Sequence, residues 1–255
     1  MSSPTSPNQP AWTDPDLVNP HAVQDKARRV EQMFAAIAPS YDLNNRLHSM
    51  WRDQAWRRKA VRIAQVAPGR DVVLDVACGT GDLAMAFAQA KAKRVVGVDF
   101  TYNMLRIADV KRAGDARLSY HAGDAMRLPI ADASVDVVSI AFGIRNVTNA
   151  PAAMREFYRV LRPGGRLIVL EFSIPENALL KAGYMFYFKQ VMPRTAALIA
   201  RDRSGAYRYL PQSVSTFIDR PGMVKLYEQA GFEQIALKPL TFGIAVCYRG
   251  LKACP

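Results

Sequence analysis

In VVLDVACGTGD, residues 72–82, a short run of branched apolar side chains gives way to two glycines and then to a stretch that reads as helix to Lys91. An apolar run of this length bounded by turn residues is the signature of a strand buried on both faces in a parallel sheet. Glycines where a strand becomes a helix permit a tight turn and let a ligand approach the backbone closely. The helix that follows offers unpaired N–H groups at its start. The reading is a strand–turn–helix unit of the kind that holds a nucleotide-like cofactor.

The same alternation continues outward. RVVGVD (94–99) reads as a second strand and 102–112 as a second helix; RLSYH (117–121) is a third strand. VDVVSIAF (135–142) is a fourth, followed by a helix over 150–161 that Pro163-Gly164-Gly165 ends; RLIVLEF (166–172) is a fifth. Strands alternating with helices imply a parallel sheet covered on both faces. Residues 174–218 break the rhythm and read as an aromatic, basic, helical insertion. Asp219 and Pro221 then open a helix that Gly231 closes. FEQIALKPL and FGIAVCYRG finish the chain as two strands joined through Thr241.

Before the first strand, residues 23–66 read as helical. Val30, Met33, Phe34 and Ile37 fall at i, i+3, i+4 and i+7, Pro39 interrupts, and Leu47, Trp51 and Ala55 continue at i+4 spacing. Arg57, Arg58, Lys59 and Arg62 read first as a solvated helix face. Residues 1–22, rich in Pro, Ser and Asn, read as a flexible tail. The expected organisation is a tail (1–22), an N-terminal helical lid (23–66) and a main domain (67–255) that carries the insertion.

Bulk properties bound the function. Half of the 255 residues are hydrophobic, enough for a full core, and the formal charge of +12 suits an acidic ligand, nucleic acid or an anionic membrane surface. The three cysteines (78, 247 and 254) have no CxxC spacing, which argues against a disulfide framework or a zinc site and for a reducing compartment. The N-terminus lacks the apolar run of a signal peptide, and no apolar stretch reaches the ~18 residues of a membrane span. The expectation is a cytoplasmic protein, in peripheral contact with the inner face of the membrane, and with no metal.

Gly79, Gly81 and Ala84 fit the dinucleotide pattern GxGxxG/A, and Asp99 stands at the end of the second strand where a ribose-binding carboxylate belongs. Taken alone this is compatible with NAD. Three features favour S-adenosylmethionine. Asp75 precedes the glycines, where it suits an ammonium group and would repel a pyrophosphate. Gly123-Asp124-Ala125 follows the third strand, where Asp124 can accept from an adenine amino group and the Ala125 N–H can donate to the ring. LRPGGRL (161–167) resembles a methyltransferase signature. Each acidic residue alone reads equally as a cap or turn former; three in these places point to the cofactor. Asp75, Gly79, Thr80 and Gly81 are expected to line its methionine end, Asp99 its ribose, and Asp124 and Ala125 its adenine, outside the carboxyl ends of the strands.

The sequence from Val30 to Lys252 resembles the ubiquinone/menaquinone biosynthesis C-methyltransferases. The matching stretches include MFAAIAPSYDLNNRL (33–47), WRRKAV (56–61), LDVACGTGDLA (74–84), FGIRNV (142–147), YRVLRPGGRLIVLEFS (158–173), YFKQVMP (187–193), YRYLPQS (207–213) and LTFGIA (240–245). The glycine stretch is common to many methyltransferases, whereas FGIRNV, YDLNNRL and YRYLPQS are far more specific. Two positions depart from the family pattern: Ala141 stands where Ser is frequent, and Ala35 where Asp is usual.

The resemblance implies the class I methyltransferase fold, a Rossmann-like α/β sheet of seven strands with the last antiparallel. It implies carbon methylation of a polyprenylated quinol ring, demethylmenaquinol to menaquinol or a related benzoquinol, with Thr80, Asp99, Asp124 and Ala125 holding the cofactor. A quinol carbon becomes nucleophilic as its neighbouring hydroxyl loses its proton, so positioning and stabilisation of phenolate charge are needed. Arg145 and Asn146 follow the fourth strand. Arg145 is too weak a base to take the proton and is expected to stabilise charge, unless it pairs with a surface acid. Tyr41 and Asp42 of the lid, with Tyr207 and Tyr209 of the insertion, are placed to close over the ring. Tyr184, Phe186, Tyr187 and Phe188 read as a mixture of core and prenyl channel. His48 and His121 receive no role. The alternatives are an RNA or protein methyltransferase within the class, and a non-catalytic SAM- or NAD-binding module outside it. No nucleic-acid partner is expected, and a homodimer stays open.

Overall fold

A computed structural model describes residues 11–192, 194–195 and 205–254. Residues 1–10 of the expected tail and 196–204 of the expected insertion lie outside it, as does the Tyr207 side chain.

Five parallel strands form the centre: β1 (Val72–Val76), β2 (Arg94–Asp99), β3 (Leu118–Ala122), β4 (Val135–Ala141) and β5 (Leu161–Phe172). Two more, β6 (Phe232–Leu240) and β7 (Ala245–Lys252), complete a seven-stranded sheet of order β3-β2-β1-β4-β5-β7-β6. β7 runs antiparallel to both its neighbours, as expected of the last strand. The chain steps from β1 outward to β3 and then returns to place β4 on β1's other side. This reversal leaves a crevice at the carboxyl ends of β1, β2 and β4.

The sheet is buried because successive side chains alternate between its faces. Val73, Val95 and Val137 join one core with α3 (Arg52–Ala64) and α4 (Asp82–Gln89), through Trp56, Ala60, Leu83 and Phe87. Leu74, Val96 and Val138 join the other, with α6 (Ala150–Val160) and the helix Arg220–Gln229. In α6, Ala153, Met154, Phe157 and Val160 form the buried stripe, and the Asn149 side chain caps the start by accepting the Ala152 N–H.

β5 begins earlier than the sequence suggested. Val135 pairs with Leu161 and Val137 with Arg166, so the Pro163-Gly164-Gly165 segment is an irregularity on the strand and the helix before it stops at Val160. The lid also differs. α1 (Lys26–Ile37), a single 3₁₀ turn at 38–40, α2 (Tyr41–Ser49) and α3 are separate pieces. Met50 and Trp51 adopt left-handed backbone conformations that redirect the chain between α2 and α3, which a smooth i, i+4 pattern does not reveal.

Part of the stretch read as a flexible tail is packed. Trp12 is 1% exposed and stacks on Tyr209 at 4.4 Å, in a cluster with Met33, Ile37 and Met104. A lone Trp among prolines lacks periodicity, so its partner more than 190 residues away could not be read locally. α5 (Tyr102–Lys111) supplies Met104, and α7 (Ala178–Phe186) with α8 (Ala206–Ser215) supplies the described part of the insertion. Among the described residues no helix is long and apolar enough to cross a membrane, and no group of three or more His, Cys, Asp or Glu is arranged to hold a metal.

Candidate active site

Two cavities meet at the crevice. The first, of about 840 Å³ including its open mouth, is lined at its base by Val76, Ala77, Gly79, Asp99, Asp124 and Ala125. The second, of about 930 Å³, lies between the lid, the insertion and the end of β5, with Arg57, Arg145, Tyr184, Tyr187, Phe188 and Tyr209 in its wall. Phe34, Tyr41 and Phe142 line both. They form the partition, and Asn146 faces the first cavity while Arg145 faces the second.

The first cavity follows from the glycine turn. Gly79 has φ +55° and nothing within 4 Å of where a Cβ would stand, so its backbone is open to a ligand. Gly81 has φ +83°, and a Cβ there would meet the Tyr120 hydroxyl at 2.5 Å; this glycine serves packing. Asp99 holds the turn in shape. Its Oδ2 accepts the Gly79 N–H at 2.8 Å and its Oδ1 accepts the Thr101 N–H at 2.7 Å. Burial raises its pKa, against the pull of those N–H groups. Asp124 forms a local turn, accepting the Met126 N–H at 2.9 Å through Oδ1.

Asp99, Asp124, Ala125 and Gly79 thus converge as expected, and Tyr41, Asn146 and Arg145 join them at the partition. Three expected residues do not line the cavity. Thr80 turns toward the lid and donates to Asp42 Oδ1 at 2.6 Å. Gly81 lies behind it against Tyr120. Asp75 is buried beneath the turn, where its Oδ1 accepts the Ser139 hydroxyl at 2.7 Å. Its Oδ2 has no hydrogen-bond partner among the described residues. Burial pushes the Asp75 carboxyl up to about 7, despite the Ser139 bond and the nearby Arg57. The Ala84 N–H in the first turn of α4 works the other way and favours the carboxylate, and burial without a full set of donors is what makes its proton hard to lose.

The first cavity therefore fits S-adenosylmethionine. Acceptors stand at Asp99 and Asp124, an open backbone at Gly79, and an orphan acidic oxygen lies under the glycine end.

Asp42, expected over the ring, is engaged elsewhere. It accepts from Lys111 Nζ at 2.6 Å, and Lys111 also bonds Asp82 at 2.6 Å. Arg46 of the lid pairs with Asp82 at 3.2 Å. These contacts fasten α2 to α4 and α5, so sequence-adjacent Tyr41 and Asp42 face different surroundings.

Arg145 sits on the 3₁₀ turn 144–146 after β4 and is 4% exposed. It pairs with buried Glu171 (Nη1 to Oε1, 2.8 Å) rather than with a surface acid. It also donates to the Phe142 carbonyl and to Ser213 Oγ (3.3 Å), and its guanidinium lies 5.4 Å from the Phe172 ring centre. These bonds use Nε and Nη1 of the guanidinium. Burial raises the Glu171 pKa, opposed chiefly by Arg145. A second buried pair, Arg57–Asp53 at 2.8 Å, lines the same cavity. This part of the basic run is therefore a buried wall and not a solvated face. Asn146 Oδ1 accepts the Tyr209 hydroxyl at 2.9 Å.

Glu171, Arg57 and Asp53 were missed as site residues, whereas Tyr184 was read as part of the aromatic core and prenyl channel. A Glu closing the apolar run LIVLE was a usable signal, since a charge at the end of a buried strand needs a partner. The Tyr184 hydroxyl is buried without a partner among the described residues, beside the Phe188 ring it stacks on at 4.9 Å. Of the aromatic stripe, Tyr184, Tyr187 and Phe188 line the second cavity, whereas Phe186 is exposed.

The sheet order and the cofactor crevice define the class: an S-adenosylmethionine-dependent methyltransferase of the α/β type. Solved structures of that class share the fold. A Thermotoga maritima SAM-dependent methyltransferase, described as a possible histamine N-methyltransferase, superposes with a TM-score of 0.62 at 21% identity, over 88% of this chain and 99% of that one. Phosphoethanolamine N-methyltransferase 2 of Haemonchus contortus, solved with S-adenosyl-L-methionine, gives 0.59 at 16% identity, over 78% and 52%. The ubiE/COQ5 methyltransferase family model matches residues 22–252, and the chain belongs to that family. It is 44% identical to the demethylmenaquinone methyltransferase of Deinococcus radiodurans (90% of this chain, 95% of the relative). It is 45% identical to the ubiquinone/menaquinone biosynthesis C-methyltransferase UbiE of Syntrophotalea carbinolica (88% and 94%).

Proposed function

We propose that this enzyme methylates a ring carbon of a polyprenylated quinol, converting demethylmenaquinol to menaquinol. The observation that carries this reading is the second cavity. It is aromatic-walled, meets the cofactor cavity at Tyr41 and Phe142, and has the buried Arg145 guanidinium in its wall. The relatives named for quinone biosynthesis support it, and several are named for demethylmenaquinone.

S-adenosylmethionine, when bound, supplies the electrophilic methyl group. Asp99 holds its ribose hydroxyls, Asp124 and the Ala125 N–H its adenine, and Asp75, from below the turn, balances its ammonium charge. The chain's remaining task is to make the quinol carbon nucleophilic and align it. Arg145 Nη2 donates to the quinol oxygen as negative charge develops there, and its pairing with Glu171 fixes the guanidinium so that little reorganisation is needed. The Tyr184 hydroxyl offers a further donor, and Asn146, held by Tyr209, marks the boundary to the cofactor. The phenolic proton passes to water, since arginine does not act as a base here; after methyl transfer the methylated ring carbon gives up its own hydrogen as a proton and the oxygen is reprotonated, which restores the aromatic quinol with a net loss of one proton.

A prenyl tail must be collected from a membrane. Met50, Trp51, Leu179 and Phe186 are exposed apolar side chains on the lid and insertion, and the +12 charge favours anionic lipid. Peripheral contact from the cytoplasmic side fits both.

The test is methyl transfer from radiolabelled S-adenosylmethionine to reduced demethylmenaquinone and to the reduced benzoquinol precursor, side by side in detergent. Product from the naphthoquinol above that from the benzoquinol is expected. A reversed ratio reassigns the ring, and no product from either with cofactor still bound refutes quinol methylation.

A further inference from the structure

Lys26, the first residue of α1, is 2% exposed and has no carboxylate in contact among the described residues. A buried ammonium in such a place is costly unless every one of its three N–H donors is used. All three are. Nζ donates to the Arg145 carbonyl at 2.9 Å, to the Val147 carbonyl at 2.9 Å and to His21 Nδ1 at 3.3 Å. His21 in turn donates from Nε2 to the Ser213 carbonyl at 2.9 Å, and burial with the neighbouring Lys26 charge lowers its pKa, which favours the neutral tautomer whose Nδ1 accepts from lysine. Ser213 Oγ receives Arg145 Nε at 3.3 Å, so the circuit closes on the residue it began from.

The geometry points to Lys26 as a positioning residue: its ammonium clamps the 142–147 loop from the N-terminal helix and so sets Arg145 and Asn146 on the two sides of the cavity partition. Three considerations support this. The loop leaves β4 through a single 3₁₀ turn and has no ladder to satisfy its carbonyls at 145 and 147, so a donor from elsewhere in the chain must do so. The two carbonyls bracket Asn146, which faces the cofactor cavity. Burial and the neighbouring Arg145 guanidinium lower the Lys26 pKa to about 8, a cost that a residue serving only to fill space would not impose. A consequence is that the site loop takes its working shape only when the N-terminal segment is docked. This couples lid and chemistry through one side chain.

The inference rests on the proposed methylation only for its kinetic readout, so two readouts are paired on the full chain. The variants are Lys26→Met, which keeps length and apolar volume without donors, and Lys26→Arg, which restores donors and charge. The first readout is hydrogen–deuterium exchange across 142–148, which needs no substrate. The second is kcat for quinol methylation at saturating cofactor. Lys26→Met is expected to speed loop exchange about 10-fold and to lower kcat about 100-fold, the effect of a displacement of about 1 Å at a reacting group. Lys26→Arg is expected to recover most of both.

Wild-type exchange and kcat in Lys26→Met would overturn the clamp and leave Lys26 a packing residue. An inactive wild type would defeat the quinol reading while exchange still decided the clamp. Should Lys26→Met fail to fold, His21→Leu decides the matter. Loop exchange accelerated about 3-fold supports the clamp, and exchange as in the wild type overturns it.

Discussion

The two cavities that meet at Phe142 and Tyr41 are built in different ways. The cofactor side is assembled from strand ends and the turns that follow them: Gly79 after β1, Asp99 at the end of β2, Asp124 after β3 and Asn146 after β4. Each contributes a short local motif, and the parallel sheet brings them together. The substrate side has no such frame. Its wall is drawn from α2 and α3, the end of β5, and the helices of the insertion, and it is held by the Arg57–Asp53 pair within α3, by the stack of Tyr184 on Phe188, and by the Arg145–Glu171 pair that ties the loop after β4 to the end of β5. The frame of the first cavity is the sheet itself, whereas the second is closed by side-chain pairs that a single substitution can remove. Substitutions should therefore divide cleanly between cofactor binding and turnover.

The largest division is expected at Arg145. Arg145→Ala should lower kcat about 1000-fold, in the range for loss of a preorganised donor to developing charge, while the dissociation constant for S-adenosylmethionine changes less than about 3-fold. Calorimetry and single-turnover methylation check this, and equal loss of both would make Arg145 structural. Next is Asp99→Ala, the mirror case. It removes a carboxylate that organises the Gly79 turn and faces the ribose, so cofactor affinity should fall about 100-fold, consistent with two or more hydrogen bonds to a charged group. With cofactor saturating, kcat should stay within about 5-fold.

Asp75 sharpens the comparison through pH. Its folded carboxyl titrates near about 7 because of burial, against about 3.9 in the unfolded chain. Between those values the folded protein holds the extra proton, so Asp75 lowers stability as pH rises across that window. An ammonium ligand favours the carboxylate. Cofactor affinity should accordingly rise with pH up to about 7, by as much as about 10-fold per unit below it, and level off above. Titrations from pH 5.5 to 8 should lose this slope in Asp75→Asn; a slope that survives removes Asp75 from cofactor binding. The smallest effect is expected at Tyr209→Phe, which deletes the 2.9 Å bond to Asn146 while keeping the stack on Trp12. Turnover should fall about 5-fold, matching a net hydrogen bond of about 1 kcal/mol, with cofactor affinity unmoved.

The same contrast explains how much was legible beforehand. Asp99, Asp124 and Ala125 were readable because strand period and turn chemistry are local, and parallel strands carry their C-terminal ends to one edge. Thr80 and Asp75 were misplaced within the same motif. The sequence places Thr80 between the glycines and Asp75 before them, but the turn sends Thr80 to Asp42, and the pairing of β1 with β4 sends Asp75 to Ser139. Glu171 was visible as a charge ending an apolar strand, yet its partner Arg145 is 26 residues away and only strand pairing joins them. Trp12 and Lys26 carried no local signal at all.

Sequence alone determined the alternating α/β order, the cofactor edge and the family resemblance, which in turn implied the antiparallel last strand, because periodicity, glycine placement and specific motifs are properties of short stretches. The tertiary structure alone decided what closes the second cavity and what holds Arg145: the lid, the insertion, and the Lys26, Glu171 and Ser213 contacts. Those depend on groups far apart in the chain whose burial leaves a charge or carbonyl unpaired until the whole fold supplies its partner.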